Sequence, residues 1–383
     1  MIMTELIINP GILTRRVAEK WTLHLPESNK TFELDENSYD LLTNYFGSSD
    51  GKSRSRFLNS YTEDSIESAK IEFIKRRILV STVDVNEVVE QWDGWTAGAW
   101  HLHLSARDTK FATSNEEQNK VAARINAAEA PPRYKCSCSA ETSVPLPEPD
   151  PLGECSAGAA FMRRRTCRLF DTDKEVSLKA LASALYYSGG VVFENETDHF
   201  GTVLKKCSPS PGARHSIEQY PVVFRCEGLK PGIYHYCVEH HRLNAIELGD
   251  QADFITTALQ QQAYFTACAV ACFMTSVTSR LRWKYKGPRI YKLIHLEAGH
   301  YCQNFLLAGT ALGLGVFSTG AIKEPTVERK LRIDGVDEIV MYVAGLGHMR
   351  GNAPYFRPGK VNLIRNPEGV APTLPRDDAA GLA

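Results

Sequence analysis

Lys284 and Tyr285 place two proton-transfer groups on adjacent residues, inside the basic tract Arg282-Trp283-Lys284-Tyr285-Lys286-Gly287. A free lysine titrates near ~10.4, so it acts as a general base only where burial or nearby cations lower that value. Arg282 and Lys286 flank the pair and could supply that charge. Tyr285, in the same field, could carry the proton instead. The alternative is that both side chains only anchor a surface strand.

A second group of residues suits an anion. Arg163, Arg164, Arg165 and Arg168 fall within six residues around Thr166. Planar guanidinium forks beside a hydroxyl complement a phosphate, although a solvated basic turn would have the same composition. Arg350, after Gly345-Leu346-Gly347-His348-Met349, stands as a second phosphate clamp. Between them, Ser208-Pro209-Ser210-Pro211-Gly212-Ala213-Arg214-His215 forms a loop in which prolines fix the backbone. Gly212 there allows close approach of a flat ligand. Farther on, Gly313-Leu314-Gly315 leads to Thr319, Gly320 and Ala321, where main-chain N–H groups could face a cofactor. This is no dinucleotide fingerprint, because the glycines follow a helix instead of joining a strand to one.

These groups need elements to hold them. Ser177 caps a helix running through Leu178, Leu181 and Leu185 to Gly189-Gly190. Two further helices are expected, from Thr257 to about Tyr264 and from about Tyr291 to Leu312. The second is apolar nearly all round, which reads as burial at a subunit interface, with Glu297, His300 and Gln303 as satisfied polar partners. Ile233-Tyr234-His235-Tyr236 and Ile339-Val340-Met341-Tyr342-Val343 read as strands. Together they give an α+β domain over residues 161–355, followed by a tail, 356–383.

Residues 1–85 form a separate module. Trp21–Leu25 alternates as a strand that Thr31–Leu34 can pair with. Asp35 caps a helix carrying Tyr39, Leu42 and Phe46 and stopped by Gly47. A second helix from Thr62 buries Ile66, Ala69, Phe73 and Ile74. The outline is winged-helix-like. Asp35, Glu36, Asp40, Glu63, Asp64 and Glu67 crowd its helices, so peptide binding at a strand edge fits better than DNA. Residues 86–160 connect the two parts. They hold Trp92, Trp95 and Trp100, then His101 and His103 on one face of an expected strand, then a proline-rich linker that interrupts regular structure.

Bulk properties narrow the class. The chain has 383 residues, 43% hydrophobic and 23% charged, with a net charge of -1. That balance disfavours a general nucleic-acid binder. No apolar run reaches the ~18 residues of a membrane span, and the N-terminus lacks signal-peptide features, so a cytoplasmic protein is expected. Ten cysteines, mostly in apolar segments, read as reduced thiols. Cys136, Cys138 and Cys155 cluster without the paired four-ligand spacing of structural zinc, so no metal is expected and their role is open.

Taken in order, Arg164-Arg165-Thr166-Cys167-Arg168, Pro209–His215, Pro231-Gly232-Ile233-Tyr234-His235-Tyr236, Arg282–Tyr285, Leu296–His300 with Gln303-Asn304, and Leu312–Gly315 resemble one family. It is the SagB/McbC-type FMN-dependent dehydrogenases of the nitroreductase superfamily, which act in ribosomal peptide natural-product pathways. A weaker likeness is to the flavin dehydrogenase of trifolitoxin-type pathways, where a partner protein is expected. The module 1–85 is similar to the precursor-peptide recognition elements of such pathways. The resemblance implies an FMN-binding homodimer, with Lys284 and Tyr285 as the acid/base pair. Arg164, Arg165, Thr166, Arg168, Pro209, Ser210, Gly212, Thr319, Gly320, Ala321 and Arg350 would contact the cofactor. Lys286 and the Phe317–Gly320 loop depart from the common pattern near the expected substrate pocket. The implied reaction is oxidation of azolines to azoles in a precursor peptide, with dioxygen reoxidising the flavin. Alternatives are dehydrogenation of an unmodified backbone bond, generic nitro or quinone reduction, or a non-catalytic scaffold for a cyclodehydratase.

Overall fold

The structure is a computed structural model that describes residues 6–25, 30–47, 61–82, 96–107, 112–136, 143–197 and 201–351. Trp92, Trp95, Cys138 and the tail 356–383 lie outside the described residues. The chain divides into two compact units. One comprises Met1–Arg133, Val192–Ile217 and Ser276–Ala298, the other Tyr134–Val191, Glu218–Thr275 and Gly299–Ala383.

In the first unit, β1 (Leu6–Ile8), β2 (Leu13–Val17), β3 (Lys20–Leu25), β4 (Lys30–Leu34) and β5 (Leu79–Ser81) make two small sheets. β1 pairs antiparallel with β5, and β2–β3–β4 form an antiparallel meander in which Leu23 opposes Phe32. Alternation along β3 buries Leu23 and Leu25 against Leu42, Phe73 and Ile78. Asp35 accepts from Ser38 N at 2.7 Å and starts the helix Glu36–Asp40, which widens into a π-turn over Leu41–Phe46. Thr62 likewise caps Glu63–Lys75, whose Ile66 and Phe73 are buried. Ile74, expected in that core, is exposed instead.

His101 and His103 lie on the helix Ala97–Arg107, not on a strand. Alternating His and Leu suggests a strand, but alanine and leucine favour helix. Two helical positions differ by about 200°, so the two rings do not share a face.

Farther along run β6 (Ser143–Pro145), β7 (Val191–Thr197), β8 (Gly201–Lys206), β9 (Ile217–Val223), β10 (Gly232–Cys237) and β11 (Arg242–Leu248). They are followed by β12 (Val270–Val277), β13 (Gly315–Thr319) and β14 (Glu338–Gly347). β7 and β8 pair with each other; the rest make one sheet in the order β13-β14-β12-β9-β10-β11-β6. β9 is buried throughout and β12 nearly so, as befits central strands covered on both faces. The second unit's core gathers Tyr220, Val222, Ile233, Phe273, Phe317 and Val343. Glu338 is its buried anion, accepting from Tyr220 Oη at 2.6 Å and Thr275 Oγ1 at 2.7 Å and pairing with Lys135.

Two expected elements differ. The proline-rich stretch is not wholly irregular: Ser143–Pro145 pairs antiparallel with β11 as an edge strand, where a proline's missing N–H costs no ladder bond. The helix expected from Thr257 to Tyr264 is two short ones, Ala252–Ala258 and Tyr264–Ala267. Gln260 and Gln261 both take positive φ between them, which no right-handed helix tolerates. Ser177 caps Leu178–Gly189 as expected, accepting from Ala180 N at 3.1 Å.

Candidate active site

The loop before β9 is built around left-handed backbone. Gly212 has φ +60°, and Ala213 and His215 are also positive, so the chain turns tightly after Pro211. Ser210 Oγ holds the turn by accepting from His215 N at 2.8 Å. A β-carbon on Gly212 would lie 2.8 Å from Lys284 Nζ and would also collide with the Tyr285 hydroxyl. The two expected proton-transfer groups therefore converge on the one residue whose lack of a side chain leaves them room.

Lys284 ends the helix Thr278–Lys284, and Tyr285 follows as its extended C-cap. Arg280, buried on that helix, donates to His215 O at 3.0 Å and Pro132 O at 2.9 Å, binding helix to loop. Trp283 donates to Ala128 O at 3.1 Å while Arg214 stacks over its ring at 5.0 Å. Lys284 is half-buried, and burial first, then the Arg214 cation, holds its ammonium below the usual lysine range. Burial pushes the Tyr285 phenol up, with Arg214 opposing. The cation that tunes Lys284 is thus Arg214 rather than Arg282 or Lys286: Lys286 Nζ is turned to Arg282 O. Of the two, Lys284 is the better base and Tyr285 the better donor.

Below the loop, Glu297 is fully buried and accepts from Ser216 N at 3.0 Å and Ser216 Oγ at 2.9 Å. Burial raises its pKa, against the pull of these bonds, of Ser210 and of Lys206. It is the satisfied interior partner expected, whereas His300 and Gln303 are exposed rather than interior. The helix itself, Arg289–Ala311, is not buried all round, since Tyr291 and Leu296 are exposed. His215 Nε2 donates to Leu204 O at 2.9 Å, leaving its buried Nδ1 lone pair without a partner among the described residues. Desolvation, with Lys206 as a secondary cause, drops its pKa to about 3, so the ring is neutral.

In the second unit, Thr166 bridges Val316 at the start of β13, and Cys167 N donates to Val316 O at 2.8 Å. Arg350 N donates to Leu169 O at 3.0 Å. Arg164, Arg165, Thr166, Arg168 and Arg350 are therefore gathered beside one end of β13, and all but Arg164 are exposed. Gly315 permits this, because a β-carbon there would lie 2.7 Å from Cys167 Sγ. Thr319, Gly320 and Ala321 stand at the other end of β13, about 10 Å along the strand from Val316. Thr319 Oγ1 accepts from Ala321 N at 3.2 Å.

Each unit's donor chemistry suits one part of a flavin mononucleotide: in the second, guanidinium forks and a hydroxyl suit a phosphate, and in the first a glycine-floored loop suits a flat ring. Arg214, Arg280 and the Glu297–Ser216 support were absent from the expected site. Arg214 lay next to Gly212 in the motif, but only the fold puts its charge beside Lys284. A cavity of about 540 Å³ lies in the first unit, lined by Glu129, Pro131, Pro132, Arg282, Trp283 and Lys286 among others. No helix among the described residues is long and apolar enough to cross a membrane.

The chain is similar to several known proteins. The chain is 28% identical over 274 residues to trifolitoxin-processing protein TfxB of Rhizobium leguminosarum bv. trifolii, across 68% of this chain and 70% of that protein. A solved structure described as a nitroreductase, from Anabaena variabilis, is 22% identical (TM-score 0.43), covering 64% of this chain and about half, 49%, of that one. A chain of the E. coli microcin synthetase McbBCD complex, with truncated pro-MccB17 bound, is 15% identical (TM-score 0.41), over 65% of this chain and 86% of that one. These two structural likenesses are too distant to add to the assignment. The Nitroreductase family model matches residues 161–348, the stretch that holds the arginine cluster, the Gly212 loop, the Lys284–Tyr285 pair and Thr319–Ala321, and these residues form a nitroreductase-family domain.

Proposed function

We propose that the protein is an FMN-dependent dehydrogenase that oxidises azolines to azoles in a ribosomally made precursor peptide. The observation that carries this reading is the convergence of Lys284 and Tyr285 on Gly212, beside a cation that favours neutral lysine. Arg164, Arg165, Thr166, Arg168 and Arg350 are assigned to the FMN phosphate, and Pro209, Ser210, Gly212, Thr319, Gly320 and Ala321 to the rest of the cofactor. FMN, when bound, supplies the two-electron acceptor. The chain supplies the proton chemistry. In an azoline the Cα–H lies between C=N and a carbonyl and is acidic; Lys284 Nζ would take that proton, the hydrogen on Cβ would leave with its electron pair to the two-electron acceptor, and Tyr285 Oη would hydrogen-bond the substrate. Burial and, after it, Arg214 lower the Lys284 pKa and so favour its neutral form, and the Pro131–Trp283 cavity on the same helix is assigned to the peptide flanking the ring.

The N-terminal meander, read as a winged-helix-like recognition module spanning residues 1–85, would hold the precursor's leader. The kinship with a trifolitoxin-processing protein favours a peptide over a free nitro compound as substrate. A homodimer working with a partner enzyme in the cytoplasm completes the proposal.

The test is turnover of an azoline-bearing peptide, followed by mass loss of two hydrogens. Lys284→Ala is expected to keep near one FMN per chain and lose at least ~10²-fold in rate, as removal of a general base does. Tyr285→Phe should lose less. If FMN is lost together with activity, the pair is structural and the assignment fails.

A further inference from the structure

Cys136, Cys237 and His240 form a cluster of soft donors that the proposed chemistry does not use. Cys136 Sγ lies 3.0 Å from Cys237 Sγ and 3.3 Å from His240 Nδ1, and Cys237 Sγ lies 3.5 Å from the same nitrogen. We propose that these three side chains bind a zinc(II) ion that clamps the segment Tyr134–Cys136 to the β10–β11 hairpin.

The placement of each donor supports this. Cys237 is the last residue of β10 and His240 sits in the turn, so Cys-x2-His comes from a rigid hairpin as a preformed chelate. Cys136 arrives from 101 residues earlier, and its neighbour Lys135 is fixed by Tyr220 Oη at 2.6 Å and by Glu338. The adjacent His241 is excluded as a ligand, because its Nδ1 meets Tyr236 Oη at 2.8 Å and its Nε2 meets Pro147 O at 3.0 Å. His240 Nδ1 lies nearer the two sulfurs than its other neighbour, Glu239 Oε2 at 3.8 Å.

Zn–S bonds of about 2.3 Å and Zn–N of about 2.0 Å at tetrahedral angles put sulfur and nitrogen about 3.5 Å apart and the two sulfurs about 3.8 Å apart. Both sulfur–nitrogen distances already match; the sulfurs must part by less than about 1 Å. A disulfide would require closing the sulfurs to about 2.05 Å and would leave the imidazole without a purpose. Cys136 and His240 are exposed and Cys237 is buried, so the ion has an entry path and one sheltered side. Among the described residues three protein ligands meet, which leaves a fourth position open. Binding releases the two thiol protons as the thiolates coordinate. Expecting no metal came from grouping Cys136 with Cys138 and Cys155. Its partners are over a hundred residues away, where linear spacing gives no signal.

The experiment loads the reduced, full-length protein with zinc(II), desalts it, and counts metal per chain. One zinc per chain is expected, and cobalt(II) in its place should show thiolate-to-metal charge transfer. Cys136→Ser and His240→Ala should each weaken zinc binding at least tenfold without changing circular dichroism; both are exposed, so neither disturbs β10. Protein with reduced thiols that holds no zinc, or variants that bind zinc as tightly as the parent, would overturn the site. So would a Cys136–Cys237 disulfide found under cytosol-like reducing conditions.

Discussion

At the scale of single residues, Gly212 separates stability from catalysis. At φ +60° an alanine costs about 1 kcal/mol or a little more in backbone strain. Its methyl would also strike the ends of Lys284 and Tyr285, which are flexible and can swing away cheaply. Gly212→Ala is therefore expected to cost about 1 kcal/mol in denaturant unfolding while lowering turnover by about 10²-fold, since a misplacement of 1 Å suffices for that. A loss of stability alone would detach the loop from the chemistry. Arg214 gives a second test, through pH. Lys284 must be neutral to act, so the rate rises with pH through its lowered pKa. Arg214→Met removes a cation that favours the neutral amine, raises that pKa, and should move the acidic limb of the kcat/KM profile to higher pH. Burial, the larger cause, remains, so the limb should still fall below ~10.4. A limb that stays in place would assign the titration to another group.

At the scale of elements, the sequence exposed what is local and hid what is assembled. Ser177, Thr62 and Asp35 were legible as caps because a cap is a contact across three residues. The break at Gln260-Gln261 was not, because left-handed glutamines carry no compositional mark. The Lys284–Tyr285 pair could be read from type and spacing, but its tuning by Arg214 and its brace through Arg280 depend on which loop meets which helix. The same division applies to β2. Its five residues are all exposed at the edge of the meander, with Leu13 at 47% and Val17 at 49%. An edge that no other strand of the described residues pairs, carrying apolar side chains, suits an extended peptide adding as a further strand. Leu13→Asp with Val17→Asp should weaken precursor-peptide affinity by tenfold or more in a titration and leave FMN content unchanged. Point changes are preferable to deleting residues 1–85, since residues 1–133 pack in one unit with 192–217 and 276–298. Unchanged affinity would remove β2 from peptide recognition.

At the scale of the whole molecule, the open question is what covers the exposed side of the long helix Arg289–Ala311. One face buries Ile294, Tyr301 and Phe305, while Leu296 is 60% exposed and Tyr291 47%. A leucine that open on a helix whose opposite face is core is costly in water, at about 25 cal/mol for each Å² of apolar area left wet. A second copy of the chain supplies the simplest cover, and the proposed FMN-binding homodimer demands one. Light scattering of the purified protein should then give twice 42.7 kDa, with near one FMN per chain by absorbance. Leu296→Arg would place a charge in that interface, where an unpaired buried cation costs several kcal/mol. The variant is expected to run as a monomer and to lose FMN, because a cofactor held by two subunits is released when they part. A monomer that keeps its FMN would show that one chain holds the cofactor alone. A dimer that keeps it would place the interface elsewhere and leave Leu296 to a different partner.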